Sequence, residues 1–231
     1  MKTIGLIGGM SWTSSAEYYQ LINEGISKRL GGVHSAKIVM VSVDFARIEK
    51  MQTEGDWQSA SNEMITAARQ VQAGGADFLL ICTNTMHLVA DQVQEAIHIP
   101  LLHIVDVSAK EIQACGIQTV GLLGTRFTMD MPFYKNRLVE KFNLRVLTPS
   151  PSEKERVHKV IYEELVLGKI SPDSRLAYLS IIQNLEKQGA EAIILGCTEI
   201  GLLIKQSDCK VPLFDTTLIH ANAAVEKSLQ E

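Results

Sequence analysis

No stretch of this 231-residue chain approaches the roughly 18 consecutive apolar residues that a membrane-crossing helix needs. Its start, Met1 to Trp12, carries one lysine and a short apolar stretch broken by Gly8 and Gly9, so neither a transmembrane span nor a cleaved signal peptide is expected. Charge of one sign is equally scarce: 22 Lys and Arg face 26 Asp and Glu, for a net charge of -4. So weak a balance gives no electrostatic ground for nucleic acid or an anionic membrane as partner. The cysteines, Cys82, Cys115, Cys197 and Cys209, form no CxxC pair and no framework spacing, and free thiols in a cytoplasmic chain are expected. His87, His103 and His220 lack HxxxH or Cys/His spacing, which argues against a metal site. There is no long linker and no low-complexity tract. With 46% apolar and 21% charged residues, what remains is a folded protein of one large domain or two small ones.

What is present is an alternation. Short β-branched or Leu-rich runs, at 3–7, 37–43, 78–82, 101–105, 119–123, 145–147, 192–195 and 211–214, suit strands buried on both faces. Segments of helical period lie between them, at 16–30, 60–73, 88–97, 132–142, 155–167, 174–188 and 220–229. Several of these end at a glycine (Gly31, Gly74, Gly168, Gly189), where a left-handed closing residue is least costly. The pattern is that of an α/β protein with parallel sheets.

The chain also repeats itself. Thr3-Ile4-Gly5-Leu6-Ile7-Gly8 recurs as Thr119-Val120-Gly121-Leu122-Leu123-Gly124, an offset of 116. Gly75-Ala76-Asp77-Phe78 recurs as Gly189-Ala190-Glu191-Ala192 at 114, and Ile99-Pro100-Leu101 as Val211-Pro212-Leu213 at 112. Three blocks in one order, with an offset that shrinks as small loop deletions would make it, point to two duplicated α/β halves. Such halves place a small ligand in a crevice at the carboxyl ends of their strands. Two segments fall there: Cys82-Thr83-Asn84-Thr85-Met86-His87 and Gly196-Cys197-Thr198-Glu199-Ile200. The offset of 114 sets Thr83 against Cys197 and Cys82 against Gly196. Neighbouring side chains near a strand end point to opposite sides, so Cys82 and Thr83 do not both face the crevice, and the repeat register favours Thr83.

Cys197 stands where a strand passes into a helix, and a helix start favours a thiolate that serves as nucleophile or base. The plainer alternative is a buried, inert cysteine. Asn84, Thr85 and Thr198 offer small donors beside helix-start amides that suit a substrate carboxylate, although Asn84 and Thr198 also read as helix caps. Gly5-Leu6-Ile7-Gly8-Gly9 lacks the spacing of a dinucleotide fingerprint, and no cofactor is expected from it. Arg47, Gln52 and Lys169 read equally well as pocket residues or as solvated surface.

Jointly, the segments Ile4 to Trp12, Ser42 to Phe45, Cys82 to His87, Leu122 to Met129, Leu195 to Ile200 and Pro212 to Thr217 resemble the aspartate/glutamate racemase superfamily. The branch they resemble is the broad-specificity amino-acid racemases. The resemblance covers essentially the whole chain. It implies two pseudo-symmetric flavodoxin-like halves with an active-site cleft between them, and a final strand and helix that return to the first half. The expected domains are therefore residues 1–98 plus 211–231, and 99–210. It implies cofactor-independent racemisation of a free amino acid, and a homodimer. It also implies that Cys197 is the base for the L isomer, that Asn84, Thr85 and Thr198 bind the substrate carboxylate, and that Met10, Gln52 and the Gly168-Lys169 region line the pocket. Arg47 or Lys169 would supply a cation to an acidic side chain. The family pattern has a second cysteine where this chain has Thr83, a hydroxyl that can donate or relay a proton but not readily remove one. Slower or direction-biased racemisation, favouring L substrate as the starting isomer, is the expected result. Two other readings remain open: a cysteine-dependent decarboxylase or cis-trans isomerase of small diacids on the same fold, and a non-catalytic two-domain protein that binds a small molecule.

Overall fold

The computed structural model describes residues 1–230, so residue 231, assigned above to the first domain, lies outside the described residues. The chain forms two compact units. One runs from Met1 to Ile104 and resumes at His220, and the other is Val105–Ile219.

In the first unit β1 (Ile4–Gly8), α1 (Trp12–Leu30), β2 (Ile38–Ser42), α2 (Phe45–Glu54), α3 (Trp57–Ala73), β3 (Phe78–Ile81) and α4 (Ala90–Glu95) follow in order. The sheet is parallel in the order β2-β1-β3. Every residue of β1 and β3 is buried, as continuous apolar runs require, while β2 at the edge is partly exposed. Strand alternation divides the core. Ile4, Leu6, Phe78, Leu80 and Cys82 pack with Tyr18, Ile22 and Ile26 of α1, and Ile7, Leu79 and Ile81 pack with Met64, Ala68 and Val71 of α3. Gly5 lets α3 come close: a Cβ there would lie 2.4 Å from Val71 Cγ1.

Helix α5 (Ile104–Ala114) leads into the second unit, where β4 (Thr119–Gly124), α6 (Arg126–Asp130), α7 (Pro132–Asn136), β5 (Arg145–Leu147), α8 (Pro151–Glu163), α9 (Pro172–Lys187), β6 (Ala192–Gly196), α10 (Ile200–Leu203) and β7 (Leu213–Asp215) follow. Its sheet is parallel in the order β5-β4-β6-β7. The repeat has a physical counterpart at its first two blocks. Gly121 stands where Gly5 does, and a Cβ on it would lie 3.0 Å from Leu185 of α9. Asp77 accepts from the Thr3 amide at 2.6 Å, and its counterpart Glu191 accepts from the Gln118 and Thr119 amides at 2.8 and 2.7 Å, so each acid satisfies the start of the neighbouring strand. Those amides hold the Glu191 carboxyl below its usual range.

Some expectations are corrected. The run 101–105 is not a strand: Leu101 makes a single parallel bridge to Leu79, and the chain turns helical at Ile104. The run 211–214 does yield β7, but it pairs with β6, so the last strand stays in the second unit and only the last helix returns. That helix, α11 (Thr216–Leu229), packs Ala221, Ala224 and Val225 with Tyr18 and Ile22 of α1. The divisions therefore fall after Ile104 and after Ile219, beyond the expected 98 and 210. The left-handed residue after α3 is Gly75 (φ 89), while Gly74 stays right-handed.

Candidate functional site

In the first unit the loop after β3 carries most of the expected residues. Strand alternation continues through Cys82, which is fully buried against α1 and α11; burial pushes its thiol far above the ordinary range. Thr83 is half-buried and on the other parity, that of Leu79 and Ile81. Asn84 and Thr85, both buried, enter a 3₁₀ turn over Thr85–Val89, and Asn84 makes no side-chain cap bond there. The capping alternative thus does not account for Asn84. Met10 packs in the same cluster as Met86, and the buried Gln52 donates from Nε2 to Met86 Sδ at 3.2 Å, so Met10, Gln52 and this loop come together. Gly9 shapes the neighbouring turn: its φ is +96 and a Cβ would lie 2.1 Å from the Val43 carbonyl oxygen, so only glycine fits. Arg47 is not brought to this group. It is exposed and faces Glu63 at 3.5 Å, so its charge already has a partner on the α2–α3 surface.

In the second unit Cys197 and Thr198 follow β6. Ile193, Leu195 and Cys197 share one face, packed with α8 and α9. The register makes the comparison direct: Ile7 pairs with Ile81 in one sheet and Leu123 with Leu195 in the other, so Thr83 and Cys197 each stand two residues beyond equivalent pairs. The residue missed from sequence is Glu199. Its buried carboxylate Oε2 accepts from the Cys197 thiol at 3.1 Å and from the Thr198 hydroxyl at 2.5 Å. The only sequence signal for it was a carboxylate two residues beyond a cysteine.

This environment reverses the thiolate expectation. Burial first, then the Glu199 charge and hydrogen bond, push the Cys197 thiol well above its ordinary value, and Asp215 adds to the effect. The helix that should have lowered it, α10, is only four residues long, so too few peptide dipoles align behind Cys197. Thr198 is not the cap of α10 either: its hydroxyl donates to Glu199, which is itself the residue that precedes the helix. Asp215 caps α11 by accepting from the Thr217 and Leu218 amides at 2.9 and 3.2 Å, and burial raises its pKa. Lys169 is exposed, just after a left-handed Gly168. Of the other thiols, Cys115 is exposed and Cys209 half-buried, and all four are free. Among the described residues no group of His, Cys, Asp and Glu is arranged to hold a metal, and no helix is long and apolar enough to cross a membrane.

Chemically, the second unit offers a protonated thiol with a carboxylate in contact. The first offers a hydroxyl at the equivalent position beside an amide and a second hydroxyl. Comparison with known proteins agrees in kind. The family model for Asp/Glu/hydantoin racemases matches residues 7–224. A candidate Asp/Glu racemase structure from Yersinia pestis is 52% identical over the whole of both chains, with a TM-score of 0.93. An aspartate racemase homologue from Pyrococcus horikoshii OT3 is 34% identical, again over the whole of both chains, with a TM-score of 0.85. A broad specificity amino-acid racemase of Bacillus subtilis (strain 168) is 24% identical over 181 residues, covering 75% of this chain and 74% of that one.

Proposed function

Because the chain belongs to the Asp/Glu/hydantoin racemase family, we propose that it racemises a free amino acid without pyridoxal phosphate, using Cys197 and Thr83 on opposite faces of Cα. The observation that carries this reading is the thiol-to-carboxylate contact of Cys197 and Glu199 at 3.1 Å. A racemase needs a group that gains and loses one proton, and a thiol touching a carboxylate has an acceptor for its proton at hand. In the L-to-D direction the Cys197 proton passes to Glu199, and the thiolate then removes the Cα proton. The resulting carbanion takes the Thr83 hydroxyl proton on its other face while solvent water supplies that hydroxyl with another. Glu199 returns the proton it accepted to solvent, so one proton enters and one leaves. Thr83 relays rather than stores that proton, since an alkoxide is too basic to persist. One effective titrating thiol therefore favours L substrate as the starting isomer.

Asn84, Thr85 and Thr198 are proposed to hold the substrate carboxylate, with Met10, Gln52 and Lys169 about the substrate. Arg47, engaged with Glu63, is the weaker candidate for a side-chain carboxylate. The homodimer and the cytoplasmic location belong to the same proposal, and free thiols suit a reducing compartment. The test is to treat purified protein with hydroxylamine, dialyse it and assay racemisation. Activity is expected to survive, and pyridoxal phosphate should not raise it. Loss that pyridoxal phosphate restores would overturn the reading.

A further inference from the structure

The mechanism above leaves unused a group of buried histidines in the first unit. The ring centroid of His87 lies 4.6 Å from that of His103 and 6.0 Å from that of His220. The hydrogen bonds of two of them fix the tautomers. A carbonyl oxygen only accepts, so His87 Nδ1–H donates to the Thr83 carbonyl at 2.8 Å, and His87 Nε2 accepts from the Ile104 amide at 3.2 Å. His220 has the opposite form: Nε2–H donates to the Leu102 carbonyl at 2.8 Å, and Nδ1 accepts from the Tyr18 hydroxyl at 2.9 Å. Ile104 is the last residue before the chain leaves this unit and His220 the first after it returns. The loop that carries Thr83 is thus tied through His87 to the segment by which the chain leaves the unit at Ile104. Fixing the Thr83 carbonyl fixes the peptide plane that follows it and so restrains the backbone torsion on which the direction of the Thr83 Cα–Cβ bond depends.

We propose that His87 is a positioning residue for Thr83: its Nδ1–H holds the Thr83 carbonyl and so aims the Thr83 hydroxyl. This rests on the reading of Thr83 as the proton-relaying group. Two measurements test it. In the unsubstituted chain labelled with ¹⁵N-histidine, the His87 proton is expected on Nδ1 at neutral pH; a proton on Nε2 would overturn the proposal. The second measurement compares His87→Asn, whose amide nitrogen reaches the Nδ1 position, with His87→Gln, each with Thr83 and with Thr83→Ala. His87→Gln is expected to lower kcat on the order of 10- to 100-fold through misplacement of Thr83, with KM changed less than about two-fold. His87→Asn should recover most of the loss, and in Thr83→Ala the His87→Gln change should cost nothing more. Multiplying losses, or no difference between Asn and Gln, would refute the positioning role. A parent rate in Thr83→Ala alone would overturn the Thr83 reading itself, and is distinguishable because His87 is then untouched.

Discussion

Cys197 is held as a thiol by burial and by a carboxylate 3.1 Å away, and the same carboxylate is the acceptor that can release it. Serine in its place keeps the shape but is far harder to ionise. Cys197→Ser is therefore expected to lower turnover by about 100-fold or more, while Cys115→Ser and Cys209→Ser stay near the parent in the same initial-rate assay. Thr83 carries the complementary expectation. Thr83→Cys should supply a titrating group on the second face and raise the initial rate from the D isomer more than from the L isomer. The equilibrium ratio of enantiomers stays at unity, because a catalyst cannot move it. Cys82→Ala, whose thiol is fully buried against α1 and α11, should cost stability of about 1 kcal/mol or somewhat more and leave the rates alone. If Cys82→Ala abolishes turnover in a folded protein while Thr83→Ala does not, the assignment of the second face is wrong.

At the scale of elements, the first turns of α11 join the cluster through His220, whose fully buried ring has its pKa pushed down to about 4. The unfolded value is 6.5, so this group contributes stability above pH 6.5 that is lost as pH falls through about 4, about 3 kcal/mol in all. Urea unfolding at neutral pH and at about pH 4 should show a steeper loss for the parent than for His220→Gln, which keeps a donor towards Leu102. Equal losses would contradict a neutral, buried His220. Other acid-sensitive groups, such as the Asp106 carboxylate paired with Arg137 and Lys141, are common to both proteins and cancel.

The elements themselves were unevenly legible. β1, β3, β4 and β6 could be read because strands covered on both faces need unbroken apolar runs. Helix α2 escaped notice because it buries only Ile48 and Gln52, too few to write a helical period. Helix α5 was hidden because its first residues, Ile104 and Val105, prolong the apolar run from Leu101, and a run that short reads equally as strand or helix. That Thr83 and Cys197 hold equivalent places after β3 and β6 was legible because strand parity and the repeat register are properties of spacing alone. The raised Cys197 thiol was not, because it depends first on burial and then on how Glu199 folds back, and spacing reveals neither.

For the molecule as a whole, duplication explains most of the architecture: two parallel sheets whose glycines, start-capping acids and strand exits correspond. The departure from symmetry, a hydroxyl in one half where the other has a thiol, is where a directional preference should originate. The most direct measurement follows the Cα hydrogen by proton NMR in deuterated buffer, with a panel of L- and D-amino acids and no added cofactor. The Cα signal of at least one L-amino acid is expected to disappear as deuterium enters, with its enantiomer forming and with the rate lost in Cys197→Ser. Retention of the Cα hydrogen for every amino acid, with saturable binding, decarboxylation or diacid isomerisation in its place, would contradict a racemase.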